Sequence, residues 1–428
     1  MRRRIRTVLL AATTAAALAA RPAAASPATA DQHTPADRDR APITHLDFGW
    51  AQGWRTDRHV RGTGDVNGDG HADVVGIGDR GVHLALGGET AELTGAGLVL
   101  RDFGVAQGWR TRLHPRMLAD LDANGTDDVV GFGNRGLFVS DAGPGGTLTA
   151  PRGPEATVRD FGVDQGWRTD RHVRELADLQ GDGLVDVVGF GNHGIQAASG
   201  RPAGSPTAFS PSTRRLADFG WNQGWRPDLH VRQLADVTGD GVLDAVGFGD
   251  AGVQVARGRA DGTFSAPALV LREFGRAQGW RVERHPRHVA DVNADGRADV
   301  VGFGHAGVWV SHGAADGTFG APSMTLQDFG AAQGWRPDRH QREVVDLNGD
   351  GRAEIVGFGN SGTFVSYAGF DGNFAVSTRN LSDYGWHQGW RPGRHLRQPA
   401  DVTGDGLLEV VGFGERGTAV TEWLSFSG

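Results

Sequence analysis

The chain has 428 residues, no cysteine and no lysine; its 43 basic residues, all Arg, and 51 acidic ones give a formal charge of −8. The absence of Cys excludes disulfides, a thiol nucleophile and a thiolate metal site. An acidic chain without a basic tract is a poor partner for nucleic acid or for an anionic membrane.

Residues 1–25 have the three parts of a secretory signal: Met1 to Arg6 is basic, Thr7 to Ala20 is small and apolar, and Ala23 to Ala25 offers a cleavage site. The apolar run is too short for a membrane anchor, and no later stretch qualifies. Cleavage would remove five Arg and move the formal charge from −8 to −13. The expected organisation is a signal peptide over 1–25, a flexible polar lead-in over 26–42, and one domain over 43–428, secreted to the extracellular space.

From residue 43 on, one phrase recurs seven times. An aromatic-Gly turn leads to Gln-Gly-Trp-Arg, then His-x-Arg, an Asp-rich loop and Gly-Phe-Gly. The tryptophans are Trp54, Trp109, Trp167, Trp225, Trp280, Trp335 and Trp390, spaced 55, 58, 58, 55, 55 and 55 residues apart. A period of that size defines a repeat architecture and makes any site plural. In the unit from Asp291, apolar or alternating strands are expected over 298–304, 306–311 and 324–329, and a returning strand precedes Val345. Four short strands per unit and no helical period predict an all-β, seven-bladed β-propeller of four-stranded antiparallel blades. A parallel β-helix is the runner-up, although its coils are usually shorter. His45-Leu-Asp-Phe48 reads like the strand that ends the other units, so the N-terminal strand is expected to complete the last blade and close the ring.

Seven loops share the spacing D-x-[N/D/T/Q]-x-[D/N]-G-x-x-[D/E]. Side-chain oxygens at positions 1, 3, 5 and 9 of such a loop, with a carbonyl at 7, suit calcium in a structural role. The best sets are Asp65, Asn67, Asp69 and Asp73, and Asp291, Asn293, Asp295 and Asp299. Asp346, Asn348, Asp350 and Glu354, then Asp120, Asp122, Asn124 and Asp128, follow. The ion-free alternative is an Asx-turn whose side chains cap backbone N–H groups.

Each unit also supplies an indole, a guanidinium and an imidazole. These are Trp54, Arg55 and His59; Trp109, Arg110 and His114; Trp167, Arg168 and His172; and Trp225, Arg226 and His230. The remaining units give Trp280, Arg281 and His285; Trp335, Arg336 and His340; and Trp390, Arg391 and His395. Each His lies two residues before a second Arg, so on a strand the pair would share a face. Directional donors beside an apolar plate suit a neutral polar ring such as a sugar. The structural alternative is that Trp and Arg lock neighbouring blades together. No unit carries a unique acid, base or nucleophile, so catalysis is not expected. A protein-binding propeller and a polysaccharide lyase or glycoside hydrolase remain as alternatives.

The run Gly-Trp-Arg-x-x-x-His-x-Arg, Ala-Asp-Val-Thr-Gly-Asp-Gly and Val-Val-Gly-Phe-Gly resembles the Psathyrella velutina lectin family, and more distantly the FG-GAP/VCBP repeats of integrin-like propellers. The resemblance covers residues 43–428. It implies a seven-bladed propeller that binds N-acetylglucosamine, in some members sialic acid, with calcium in a subset of loops. It further implies pockets made from one unit's Trp, Arg and His and a neighbour's hairpin, represented here by Asn134, Asp250 and Asn360. Phe138, Trp309 and Phe364 match the family's aromatic after that hairpin. The partners so implied are glycans or glycoconjugates, met by a monomer or weak oligomer without nucleic acid or membrane insertion.

Overall fold

The computed structural model describes residues 41–151, 157–202, 205 and 207–423; the expected signal segment and nearly all of the lead-in lie outside the described residues. The fold is a seven-bladed propeller of antiparallel sheets whose only helical elements, among the described residues, are three-residue turns. In blade one the strands Val60–Gly64, Asp73–Ile77, Val82–Leu86 and Thr94–Leu100 pair in consecutive order. A meander of this kind needs only short turns, which the glycines provide. The antiparallel pairing excludes the β-helix.

The second strand of every blade is a variation on Asp-Val-Val-Gly-Phe, and all five residues are buried in each copy. β-Branched residues facing both ways suit a strand covered on both sides by neighbouring blades. The apolar core is accordingly a set of layers between blades. One layer joins Val130 and Phe132 of blade two to Val187 and Ala198 of blade three. Another joins Phe48, Trp54 and Val74 to Val402, Val411 and Phe413, so the first and last blades share a core. First strands meet around the axis, including Val60–Gly64 against Leu396–Ala400.

The sheets of blades two and seven have three named strands. In the other blades a Leu pairs with the start of the third strand, as Leu100 does with Val82, Leu216 with Ile195 and Leu326 with Val308, and in blade two Val158 takes that place opposite Leu137 through an isolated bridge. In the last blade His45 takes that place opposite Thr418 through an isolated bridge. The N-terminal strand expected over 43–48 is therefore one bridge rather than a ladder.

A buried Arg from each first strand reaches back to the preceding blade's second-strand Phe, as Arg232 does over Phe190 at 5.5 Å and Arg397 over Phe358 at 4.9 Å. Between blades one and two this plate is Ile77, packed among Val60, Gly62, Arg116 and Met117 with no water-sized space beside it. Ile77→Phe is expected to give Arg116 a ring face, raising stability by about 0.5–1 kcal/mol in a urea melt. A loss of stability would mean that these neighbours cannot give way to the ring.

Candidate functional site

Each repeat begins its site with a strained corner. Phe48, Phe103, Phe161, Phe219, Phe274, Phe329 and Tyr384 all have φ between 57° and 66°. An L-residue in the left-handed region costs roughly 1–3 kcal/mol and persists only where its surroundings fix it. The fixing group in six units is the preceding Asp. Its Oδ1 accepts the aromatic residue's N–H, at 2.7 Å for Asp47 and 2.6 Å for Asp160. The same oxygen accepts the signature indole N–H, at 2.9 Å from Trp54 and 2.8 Å from Trp167.

The indoles are thus held from both sides. Six of them are buried, and Trp280, whose corner has Glu273 instead of Asp, is half-buried. Each ring packs at about 5 Å on the corner aromatic, as Trp167 does on Phe161 at 5.1 Å. The other side rests on the Gly-Phe-Gly strand. A Cβ on Gly131 would come within 2.5 Å of both Trp109 and Phe103, so only glycine leaves room for the indole. The signature tryptophans act here as inter-strand packing, and their faces are covered by protein. Phe138, Trp309 and Phe364 are half-buried beside them; Phe138 meets Trp109 edge-on at 5.9 Å and Phe364 meets Trp335 likewise.

The histidines stand one or two residues before the first strand, not on it. His59, His114, His172, His230, His340 and His395 are buried and His285 half-buried. In all seven units Nδ1 accepts the N–H of the residue after Trp, at 3.1–3.2 Å. That acceptor role leaves the proton on Nε2, which donates to the exposed tip of the hairpin between the second and third strands. The acceptors are Asn134 at 2.8 Å, Asn192 at 2.9 Å, Asn360 at 2.9 Å, Asp79 at 3.0 Å and Asp250 at 3.3 Å. Glu415 accepts more weakly, at 3.4 Å, and unit five has His305 there without such a bond.

This corrects the expected composition of the pocket. The hairpin belongs to the same blade as the His, twenty residues on. What the next blade contributes is its turn before Gln-Gly-Trp: Ala106 N–H donates to the Asp79 carbonyl and Gln107 to that of Arg80. The junction therefore presents an exposed hairpin side chain, backed by a buried imidazole, beside the neighbour's turn. The signature Arg crosses that turn. Nη1 of Arg55, Arg110, Arg168, Arg226, Arg281 and Arg391 donates to two backbone carbonyls each. Arg336 instead pairs with Asp338 at 2.9 Å. His and the following Arg do not act as one exposed pair, because Arg61, Arg116, Arg174, Arg232, Arg287, Arg342 and Arg397 are all buried between blades.

Burial lowers the pKa of all seven histidines. For His172 and His285 it reaches about 4, with burial the larger cause and neighbouring Arg charges adding to it. A depressed imidazole pKa means that stability from the neutral ring is complete above the ordinary value of about 6.5. It is then lost as pH falls from there towards 4. In ¹⁵N spectra the His172 ring is expected to remain neutral at pH 5.5; a midpoint near 6.5 would contradict its burial.

The turn position itself was not singled out from sequence. In units one, four and seven it holds Trp50, Trp221 and Trp386, each with the signature Arg stacked 3.8 Å from the ring centre. The signal was present as an extra Trp four residues before the signature Trp in only three copies.

The Asp loops have their oxygens engaged by backbone. Asp65 accepts from Gly68 and Gly70 at 2.7 and 2.9 Å, and Asn67 and Asp69 accept from Asp69 and His71. The ninth residue points elsewhere: Asp73 is buried and accepts from Val66 and Gly87 at 2.9 and 3.0 Å, locking two strands. Asp128, Asp299 and Glu354 do the same with Ala142, Gly313 and Leu347. In loops five and six an Arg supplies the positive charge, Arg297 on Asp295 at 2.6 Å and Arg352 on Asp350. Loop one (Asp65, Asn67, Asp69) and loop two (Asp120, Asp122, Asn124) have the hard-oxygen chemistry calcium takes, without such a pair. Among the described residues no three His, Asp or Glu side chains are set in a metal-holding group.

Comparison with known proteins agrees with this geometry. Residues 291–357 match the model of the FG-GAP-like repeat. A solved lectin from Agrocybe aegerita, described by its specific recognition of non-reducing terminal N-acetylglucosamine, is similar at 40% identity. The similarity covers 81% of this chain and 87% of that one, with a TM-score of 0.77. The chain belongs to this lectin family. A toxin pore structure from Photorhabdus luminescens is similar at 19% identity and a TM-score of 0.48, over 83% of this chain and 16% of that one, too distant to bear on function. Comparison with curated sequences gives no significant match. Membership in the lectin family fits a site repeated around the ring in which no copy carries a distinct catalytic set.

Proposed function

We propose that the protein is a secreted, multivalent carbohydrate-binding protein for N-acetylglucosamine-type glycans, sialylated ones included, and not an enzyme. The observation that carries this reading is the repeated junction, in which an Asn or Asp at the hairpin tip, exposed in four copies and half-buried at Asn192, is held by a buried, neutral His beside the next blade's turn. A fixed amide or carboxylate is a directional partner for sugar hydroxyls and an acetamido N–H. Its immobilisation before binding reduces the entropy lost on association. Similarity to a lectin named for terminal N-acetylglucosamine supports the sugar class, and the finer likeness to Psathyrella velutina lectin points the same way. Several weak sites on one ring raise avidity for clustered glycans.

Calorimetric titration with N-acetylglucosamine tests the proposal. Saturable binding with more than one site per chain is expected, and Asn134→Ala should remove one. Absence of saturable binding to this sugar and to a sialylated array would end the reading. Calcium is proposed for loops one and two as a brace. The melting temperature should rise with calcium and fall with chelator, and Asp65→Asn with Asp120→Asn should abolish the difference. An equal response in that variant would place the ion elsewhere.

A further inference from the structure

Every strained corner carries an acid one residue before its aromatic, and one of the seven is set apart. Asp47, Asp102, Asp160, Asp218 and Asp328 are half-buried and Glu273 is exposed, whereas Asp383 is only 6% exposed. Its Oδ1 accepts the Tyr384 N–H at 2.6 Å and the Trp390 indole N–H at 2.9 Å, as at the other Asp corners. Its Oδ2 accepts the backbone N–H of Ala41 at 2.5 Å, across 342 residues of chain. Ala41 also packs on the layer that holds Leu381, Tyr384, Trp390 and Trp423, so it lies over this carboxylate. Among the described residues Asp383 has no ion pair. Arg397 gives Nη1 to the Tyr384 carbonyl at 2.7 Å, and its Nε and Nη2 have no hydrogen-bond partner. A buried carboxylate met only by neutral N–H groups is costly. The nitrogen against Oδ2 is one that cleavage of the chain would turn into a cation.

We propose that the mature chain begins at Ala41, after proteolysis of the Arg40–Ala41 bond, and that its α-ammonium forms an ion pair with Asp383. In that step water adds across the amide. The Arg40 carbonyl leaves as a carboxylate, and the Ala41 nitrogen takes up protons to become an ammonium. The co-reactant besides water is an endoprotease that cuts after arginine, and the chain offers it Arg40 before a small residue and the exposed Pro42. An α-amino group, with an ordinary pKa of about 7.7–8.0, is largely charged at neutral pH. Beside a buried carboxylate it adds a Coulomb attraction that an amide lacks. The pair pins the start of the segment whose Thr44 N–H bonds the Thr418 carbonyl of the last blade. This cut is separate from the expected signal cleavage after Ala25, and the inference does not rest on the glycan reading.

The test keeps the full chain and breaks one bond in it. Asp37→Ile, Arg38→Glu and Asp39→Gly place a factor Xa site across residues 37–40, so that cleavage leaves the native Ala41. The same preparation is melted before and after cleavage. A rise of about 2–4 °C is expected, with none when the chain also carries Asp383→Asn. The chain has no lysine, so its α-amino group is its only primary amine and can be labelled selectively. In the cleaved, folded ring an amine-directed ester should react about tenfold or more slower than in the same ring unfolded by urea. This readout stands even if Asp383→Asn does not fold. Brief trypsin treatment of the unaltered chain should leave a ring whose N-terminal sequence reads Ala-Pro-Ile. An unchanged or lower melting temperature after cleavage overturns the inference, as does equally fast labelling of the folded and unfolded rings. An equal rise with Asp383→Asn, or a trypsin-resistant ring with a different first residue, does the same.

Discussion

Phe48→Ala is expected to destabilise the whole ring by about 3–5 kcal/mol, the cost of emptying a buried aromatic site. Phe48 is fully buried in the layer shared by the first and last blades. Its carbonyl accepts from the buried Arg61 at 2.7 Å. The segment around it is tied to the last blade by Thr44 N–H to Thr418 at 3.0 Å, Thr418 N–H to His45 at 2.9 Å and Trp50 N–H to Gly414 at 3.0 Å. A chain that begins at Gly49 loses most of these bonds together and leaves the Arg61 guanidinium only its longer bond to the Arg394 carbonyl, at 3.3 Å. Scanning calorimetry should then record a lower and broader transition for the entire domain. A truncated chain that melts like the full one would show that the first and last blades hold together without residues 41–48.

Trp167 gives the second large effect and separates two roles for the signature indole. Trp167→Ala should cost about 3–5 kcal/mol, since the ring is buried between Phe161 and the Gly189 strand. Trp167→Phe keeps an aromatic plate but leaves Asp160 without the indole N–H it accepts at 2.8 Å. The loss there should be about 1–3 kcal/mol. If the indole serves packing, the Phe variant retains its full number of sugar sites. Loss of one site at unchanged stability would instead place the indole against the sugar. Chemical denaturation and calorimetric titration on the same preparations read both quantities.

The architecture was legible because a 55-residue period with Gly at fixed offsets has few solutions, and the strands expected in the fifth unit end within three residues of Asp299–Phe303, Val308–Ser311 and Ser323–Leu326. The site was legible in its residues and less so in its directions. Composition placed Trp, Arg and His together, yet which faces solvent depends on a turn that holds His114 by Arg110 N–H and sends its Nε2 to Asn134. The missing Cβ of Gly131 foretold a close neighbour without saying that it was Trp109. A loop pattern suited to calcium could not reveal that Asp73 turns inward to join two strands. Nor could it say that the arginines of loops five and six fold back onto their own aspartates. The Trp50, Trp221 and Trp386 stacks were hidden for a different reason. Attention to what repeats passes over what occurs in three copies out of seven.

The strained corner constrains where the chain can vary in length. Corner Asp and Trp are seven residues apart, and His and hairpin tip twenty, in short and long units alike. The three extra residues of the 58-residue units fall at the rim: twenty residues separate Ser140 from Asp160 and Ala198 from Asp218, but seventeen separate Ser311 from Asp328. The periphery therefore works as an expansion joint around a fixed gauge. A peptide or fluorophore-binding tag grafted at the exposed Pro144–Gly145 tip should be carried without disturbing any junction, turning one blade's outer edge into a handle for immobilising the ring with its hairpin tips free.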